Sequence, residues 1–235
     1  MDKVLSIVTY AKKRRAQVEA FLPYHLARLP TLSEIVYVDY ACPDGSGDFV
    51  AGLHDERVTI VEVKGAVWWQ MNHARNLGGM HARGDVLVFA DIDFYLTDDV
   101  LRELQTLEIG QFMVQNPRTT SLGFVALWRE DYLLAQGYEE ALVGYGYDDT
   151  QFWQLLLARG KQRRVMAAKV KPVETGGNTR VIAIGQRGRS ASVNFRICRA
   201  LRGLDPLHNN VGRNWAWGGE VRQASHLLKV AWEVK

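Results

Sequence analysis

Cysteine is scarce in this chain. Two residues, Cys42 and Cys198, among 235 cannot build a disulfide framework, which favours a reducing compartment. Long hydrophobic runs are missing too: no apolar stretch approaches the roughly 20 residues needed to cross a bilayer. A G-x-G-x-x-G turn does not follow the first strand-like run, and no Walker loop is present, so a dinucleotide Rossmann site and a P-loop phosphate cradle are both excluded. Charge of one sign is nearly absent in the balance. A net +3 is too mild to argue for nucleic acid, and no nucleic-acid partner is expected. The first residues, Met-Asp-Lys leading into a strand-like run, do not read as a secretory leader. These absences predict a soluble, cytoplasmic protein.

What is present is ordinary globular material. Apolar residues make up 47% and charged residues 23% of the chain, enough to bury a substantial core. The basic residues are clustered, at Lys12-Lys13-Arg14-Arg15, at Lys161 to Arg164 and at Arg187 to Arg202. Such clusters form solvated faces or attract diphosphates, an anionic acceptor or the inner face of a membrane, so a peripheral membrane contact stays open.

The first half alternates strand and helix. Val4 to Thr9, Glu34 to Asp39, Val58 to Val63 and Val86 to Ala90 are strand-like, rich in Val and Ile. Gln17 to Leu29 and Gln70 to Ala82 carry helical spacing, although Gly78 and Gly79 weaken the second. The pattern predicts an α/β fold with a mostly parallel central sheet flanked by helices. Ligands bind such sheets at the carboxyl ends of the strands. Asp39, the segment after Thr9, and Asp91 with Asp93 all fall at that edge.

Asp91-Ile92-Asp93 closes the fourth strand. Strand side chains alternate, so positions i and i+2 point the same way and both carboxylates should reach one point. Two hard oxygen ligands there suit Mn2+ or Mg2+ carrying a phosphorylated substrate. The plainer possibility, that they cap the next turn, stands beside it.

The second half is less regular. Phe124 to Trp128 is strand-like, Arg129 to Gln136 and Asp148 to Arg159 are helical, and Asp148 and Asp149 occupy a first turn, where the helix dipole favours negative charge. Residues 173–202 are polar, Gly- and Arg-rich and read as a mobile loop. Trp215, Trp217 and Trp232 are expected to close the core or to form an aromatic surface. One domain over residues 1–235 is expected, with a donor half at about 1–110 and an acceptor half at about 111–235.

In this order the motifs resemble those of the inverting, metal-dependent glycosyltransferases of the GT-A fold, the group that includes bacterial chain-extending enzymes and the β-1,4-galactosyltransferases. Val38-Asp39 followed by Asp44-Gly45-Ser46-Gly47-Asp48 resembles the V-D-D-G-S-x-D segment, interrupted by an insertion. Asn72-His73-Ala74-Arg75-Asn76-Leu77-Gly78 resembles the A-R-N-x-G helix, and Asp91-Ile92-Asp93 the D-x-D. Gly137-Tyr138-Glu139-Glu140 and Gly144-Tyr145-Gly146-Tyr147-Asp148-Asp149 resemble the acceptor-side motifs, with Asp148 standing where Glu is usual. The resemblance spans about residues 4–160.

The resemblance implies a GT-A (Rossmann-like) nucleotide-sugar transferase that moves a sugar from a nucleotide donor, expected to be a UDP-sugar, to a carbohydrate or glycolipid hydroxyl, as in polysaccharide biosynthesis. By position, Thr9, Asp39, Arg75, Asn76 and Asp91 serve the donor, Asp93 binds the metal, and Asp149 is the general base. Tyr145, Tyr147 and Asp148 line the acceptor site. A downstream histidine completes the metal site of the related galactosyltransferases, and His208 is the candidate here; His226 sits in a helical, packed pattern. Two rivals remain. A sugar-phosphate nucleotidyltransferase also places aspartates at a parallel sheet, but Thr9 to Arg15 lacks that class's glycines. A noncatalytic carbohydrate- or polyanion-binding protein would use the basic, tryptophan-rich C-terminal region.

Overall fold

A computed structural model describes residues 2–116, 123–144, 146–174, 184–204, 207, 209–210 and 213–225, with the main chain alone for 184–189 and 204. The first half runs β1 (Leu5–Ala11), α1 (Arg15–Leu26), β2 (Glu34–Tyr40), α2 (Ser46–Gly52), β3 (Val58–Val63), α3 (Met71–His81) and β4 (Val86–Ala90). Next come β5 (Phe94–Tyr95), α4 (Asp98–Leu104), β6 (Gln111–Val114), β7 (Phe124–Trp128) and α5 (Arg129–Leu134). The described chain ends with α6 (Asp148–Ala158), β8 (Gln162–Val165), β9 (Lys171–Pro172), α7 (Ile184–Leu204) and β10 (Glu220–Gln223).

Eight strands form one sheet in the order β10-β3-β2-β1-β4-β7-β6-β8. Strands β3, β2, β1 and β4 are parallel, as their Val- and Ile-rich sequences predict. Strand β10 pairs antiparallel on β3, and β7 antiparallel between β4 and β6. The strands lack polar alternation because both faces are covered. Leu5, Ile7, Ile35, Tyr37, Val86 and Val88 meet Val18, Phe21 and Leu22 of α1 and Leu101 and Leu104 of α4 on one face. Val8, Val36, Val38, Leu87 and Phe89 meet Ala74 and Leu77 of α3, Tyr132 of α5 and Phe152 and Leu156 of α6 on the other. Register opposes Ala11 to Asp39 and Asp39 to Glu62, so the carboxyl ends of β1, β2 and β3 lie level.

Two expectations change here. The stretch expected to be a mobile loop, 173–202, instead carries helix α7 over its greater part. An apolar stripe does not mark the helix, because among its described side chains Asn194 and Cys198 are the ones buried, and polar bonds from Asn194 hold it. Strand alternation also fails to carry Asp91 and Asp93. Strand β4 stops at Ala90, Phe94 N–H donates back to Asp91 O at 3.2 Å, and the two aspartates sit in a turn with different partners. The turn is held from beyond by Val173 N–H on Asp93 O at 2.8 Å and by the β5–β9 ribbon.

Candidate active site

Arg75 is the centre of the polar cluster at the carboxyl edge. It comes from α3, which lies close on the sheet because Gly78 faces Val8 and Val38, and close to α5 because Gly79 faces Tyr132. A Cβ at Gly78 would overlap Val8, and one at Gly79 would meet the Tyr132 ring at 2.6 Å. The two glycines that weaken the helix by propensity are what allow this approach. The Arg75 side chain is only 1% exposed. Its Nε donates to Tyr10 Oη at 2.7 Å and one terminal nitrogen donates to Asp148 Oδ2 at 2.6 Å. The same nitrogen lies 3.2 Å from Asp149 Oδ1, and the other lies 3.6 Å from Asp91 Oδ1. The guanidinium also packs over the Tyr138 ring, 4.7 Å from its centroid.

Tyr10 completes the circuit, its hydroxyl donating to Asp91 Oδ1 while accepting from Arg75. Asp91 is seated by Gly123, whose carbonyl accepts from Asp91 N–H at 3.0 Å; any Cβ at Gly123 would overlap the Asp91 carboxylate. Three carboxylates thus share one buried cation. Burial pushes the Asp149 carboxyl well above the usual carboxylate range; Arg75 opposes this, while Asp148 and Asp91 add to it. Asp91 is raised as well, again by burial first, with Arg75 and the Tyr10 hydroxyl opposing. Burial works against the charge on Arg75, yet Asp149, Tyr10, Tyr138 and Asp148 together hold it firmly protonated. The cluster can therefore exchange a proton on a carboxylate while its cation stays fixed.

Asp93 stands apart. Its side chain is 40% exposed and forms an ion pair with Arg14, from the loop after β1. Lys12 of the same loop donates to Ala66 O at 2.5 Å, tying it to the β3–α3 connection. Among the described residues no group of three His, Cys, Asp or Glu side chains could form a metal cage. An exposed strand-tip carboxylate nevertheless fits Mg2+ or Mn2+ bound mainly through substrate phosphates and water. Asp39 is buried, and its Oδ1 accepts from Cys42 N–H at 2.8 Å. Burial raises its carboxyl, the Cys42 bond counteracting in part.

The remaining expected site residues are scattered. Thr9 is fully buried, its Oγ1 without a hydrogen-bond partner among the described residues. Asn76 spends its whole amide on the fold. Its Nδ2 donates to Tyr138 O and Glu140 Oε1, both at 2.8 Å. Its Oδ1 accepts from Tyr132 Oη at 2.9 Å and Tyr138 N–H at 2.8 Å. Tyr147 precedes α6 in the left-handed region, φ +71°, and its ring meets Phe195 of α7 with centroids 5.2 Å apart. Tyr145, His208, His226 and Trp232 lie outside the described residues. Trp215 packs on Tyr132, whereas Trp217 is exposed. Glu139 and Glu140 of the Gly137–Glu140 motif bind Arg213 and Ala216 N–H, fastening the 213–216 segment.

Sequence reasoning missed Tyr10. Ending β1 at Thr9 left it outside the strand; its parity with Val8 would have placed it on the α3 face, beside Arg75.

No protein-family model matches the chain, and no curated protein matches it. Solved structures do. The chain is similar to the Pyrobaculum calidifontis mannosyltransferase PcManGT, solved with GDP-Man and Mn2+, at 19% identity and TM-score 0.67, over 88% of this chain and 68% of that one. It is similar to GalNAc-T7, solved with UDP, GalNAc and Mn2+, at 14% identity and TM-score 0.56, over 69% of this chain and 42% of that one. It is also similar to the catalytic domain of Drosophila β1,4-galactosyltransferase 7, solved with xylobiose, at 15% identity and TM-score 0.53, over 79% and 73%. The chain has a GT-A-like glycosyltransferase fold.

Proposed function

We propose that this protein is a metal-dependent glycosyltransferase that moves a sugar from a nucleotide donor, UDP-linked, to a carbohydrate hydroxyl with inversion at the anomeric carbon. The observation that carries this reading is the convergence of Asp91, Asp148 and Asp149 on buried Arg75, beside the exposed carboxylate of Asp93. The fold adds support, since solved structures that share it hold nucleotide sugars or nucleotides with Mn2+.

In the proposed reaction the acceptor oxygen attacks the anomeric carbon as the bond to the diphosphate oxygen breaks. The hydroxyl proton passes to Asp149, and the nucleoside diphosphate departs with the bonding electrons. A carboxylate raised above its usual range by burial suits this task, and one such base contributes typically 10²- to 10⁴-fold. Asp148 holds a second acceptor hydroxyl, with Tyr145 and Tyr147 beside the sugar. Asp93 would hold Mn2+ or Mg2+, with His208 as the further ligand, and the ion would stabilise charge on the leaving diphosphate as a Lewis acid. Asp39 and Thr9 serve the nucleoside side. Arg75 and Asn76 act from behind, Arg75 by fixing Asp91 and Asn76 by fixing the 138–140 turn.

Titration calorimetry of UDP with and without Mn2+, on the native protein and on Asp93→Asn, tests the donor half. Binding that needs the ion in the native protein and vanishes in the variant is expected. Metal-independent or absent nucleotide binding would instead favour a noncatalytic carbohydrate-binding role, for which exposed Trp68 and Trp217 are the observation. Screening hydrolysis across nucleotide sugars then identifies the donor.

A further inference from the structure

Helix α7 contains five arginines and not one acidic residue across Ile184–Leu204. Arg196, Arg199 and Arg202 recur one turn apart and are all exposed. None of the three forms an ion pair among the described residues. Phe195 and Val193 flank them and are 46% and 45% exposed. A merely solvated helix face mixes charges of both signs and hides its large apolar side chains. Unopposed arginines beside exposed Phe and Val are the composition of a helix that lies in the plane of a bilayer surface.

The opposite side of α7 is anchored. Asn194 is buried and clasps the loop before α6: Nδ2 donates to Val143 O at 2.9 Å and Gly146 O at 2.8 Å, and Oδ1 accepts from Val143 N–H at 2.9 Å. Cys198 is buried on the same side. Ser190 lies where a Cβ at Gly144 would collide with it, at 2.5 Å. The helix therefore presents its basic face outward while holding the loop that leads into Asp148 and Asp149. No described helix is long and apolar enough to cross a membrane, so any contact made through α7 is with the surface.

We infer that the Arg196–Arg199–Arg202 face of α7, with Phe195 and Val193, docks the protein on an anionic phospholipid bilayer. The charge is complementary, and Phe195 and Val193 lie exposed beside the arginines. This docking stands apart from the transferase reading; where both hold, it sets the acceptor side of the cleft against the membrane, as a lipid-linked acceptor requires.

The test is co-sedimentation of the full chain with vesicles of phosphatidylcholine plus phosphatidylglycerol, and with vesicles of phosphatidylcholine alone. Binding to the anionic vesicles only is expected. The triple variant Arg196→Gln, Arg199→Gln, Arg202→Gln should partition about a hundredfold more weakly, roughly fivefold for each basic residue near an anionic surface. A charge-matched triple elsewhere, Arg163→Gln, Lys169→Gln, Lys171→Gln, should bind as the native protein does. Circular dichroism confirms that both triples fold. Absent binding by the native protein, equal losses in both triples, or capture by a sulfated polysaccharide without capture by vesicles would each overturn the inference.

Discussion

Asp93 and Asp149 are handled in opposite ways. Asp93, on the turn after β4, keeps much of its side chain in solvent and pairs with one arginine from a neighbouring loop. Asp149, in the first turn of α6, is 9% exposed and shares Arg75 with two other carboxylates. The difference is one of solvation. A solvated carboxylate can meet a cation that arrives from solvent. A buried one among like charges is costly to ionise, so its carboxyl is held above the usual range. The two carboxylates thus sit in a solvated corner and a buried corner, separated by how much water reaches each.

The largest test of that contrast is Asp149→Asn. The amide keeps the shape and removes the base, so turnover should fall about 10²- to 10⁴-fold while donor affinity is nearly unchanged. Steady-state kinetics beside calorimetry read both quantities; turnover retained in the variant would take Asp149 out of the base role. If Asp149 is the base, the rate of the native protein should rise with pH through an apparent pKa well above the ordinary carboxylate range, since burial raises Asp149.

Removing the shared cation comes next. Arg75→Met leaves Asp91, Asp148 and Asp149 facing one another without compensation and should destabilise the protein by about 3–5 kcal/mol. Arg75→Lys keeps the charge but cannot reach four partners at once, and should fall between the two. Denaturant melts rank the three proteins, and equal midpoints for native and Met variants would contradict the buried-corner account.

Acid sensitivity of the fold has to be separated from that of the chemistry, and His25 allows it. Its Nδ1–H donates to Phe21 O at 2.7 Å and its Nε2 accepts from Leu96 N–H at 2.9 Å. Protonation would turn Nε2 from acceptor to donor and break the second bond. Burial holds the pKa down at about 4 from the ordinary 6.5. The unfolded chain therefore takes up the proton first, and this contribution, present above pH 6.5, is lost as pH falls through about 4. At its fullest it amounts to about 3 kcal/mol. Stability measured from pH 7 to 4 should fall more steeply in the native protein than in His25→Gln; equal slopes would remove His25 as a cause.

The smallest expected effect belongs to the exposed corner. Arg14→Ala should weaken UDP affinity in the presence of Mn2+ by about tenfold, the size of one charge-assisted hydrogen bond to a phosphate. Its melting temperature should stay close to native, because the partner left behind, Asp93, is 40% exposed and can be solvated rather than stranded as a buried charge. A large loss of stability would mean that Arg14 belongs to the fold rather than to the ligand site.

The first half of the chain was readable because its signals are local. Val58 to Val63 and Val86 to Ala90 begin and end as strands where Val, Ile and Leu begin and end. The glycines of α3 misled, since propensity counts their cost in an isolated helix and cannot see Val8 and Tyr132 pressing against them. Helix α7 was hidden for the same reason in reverse. Its place depends on Asn194 bonding to residues about fifty positions earlier, which composition does not record. Among the site residues, Asp91 and Asp93 were legible as a pair, but their separation into two environments follows from a turn that β9 and Val173 hold in place.

Apolar run length and periodicity, which any segment carries within itself, were enough to determine a parallel α/β sheet with acidic residues at its carboxyl edge. Which carboxylate meets water, which one meets Arg75, and which surface presents the arginines of α7 were decided only by tertiary structure. Solvation and pairing depend on groups brought together from distant parts of the chain, Tyr10 with Asp91 and Arg75 with Asp148 and Asp149, and no local pattern encodes those meetings.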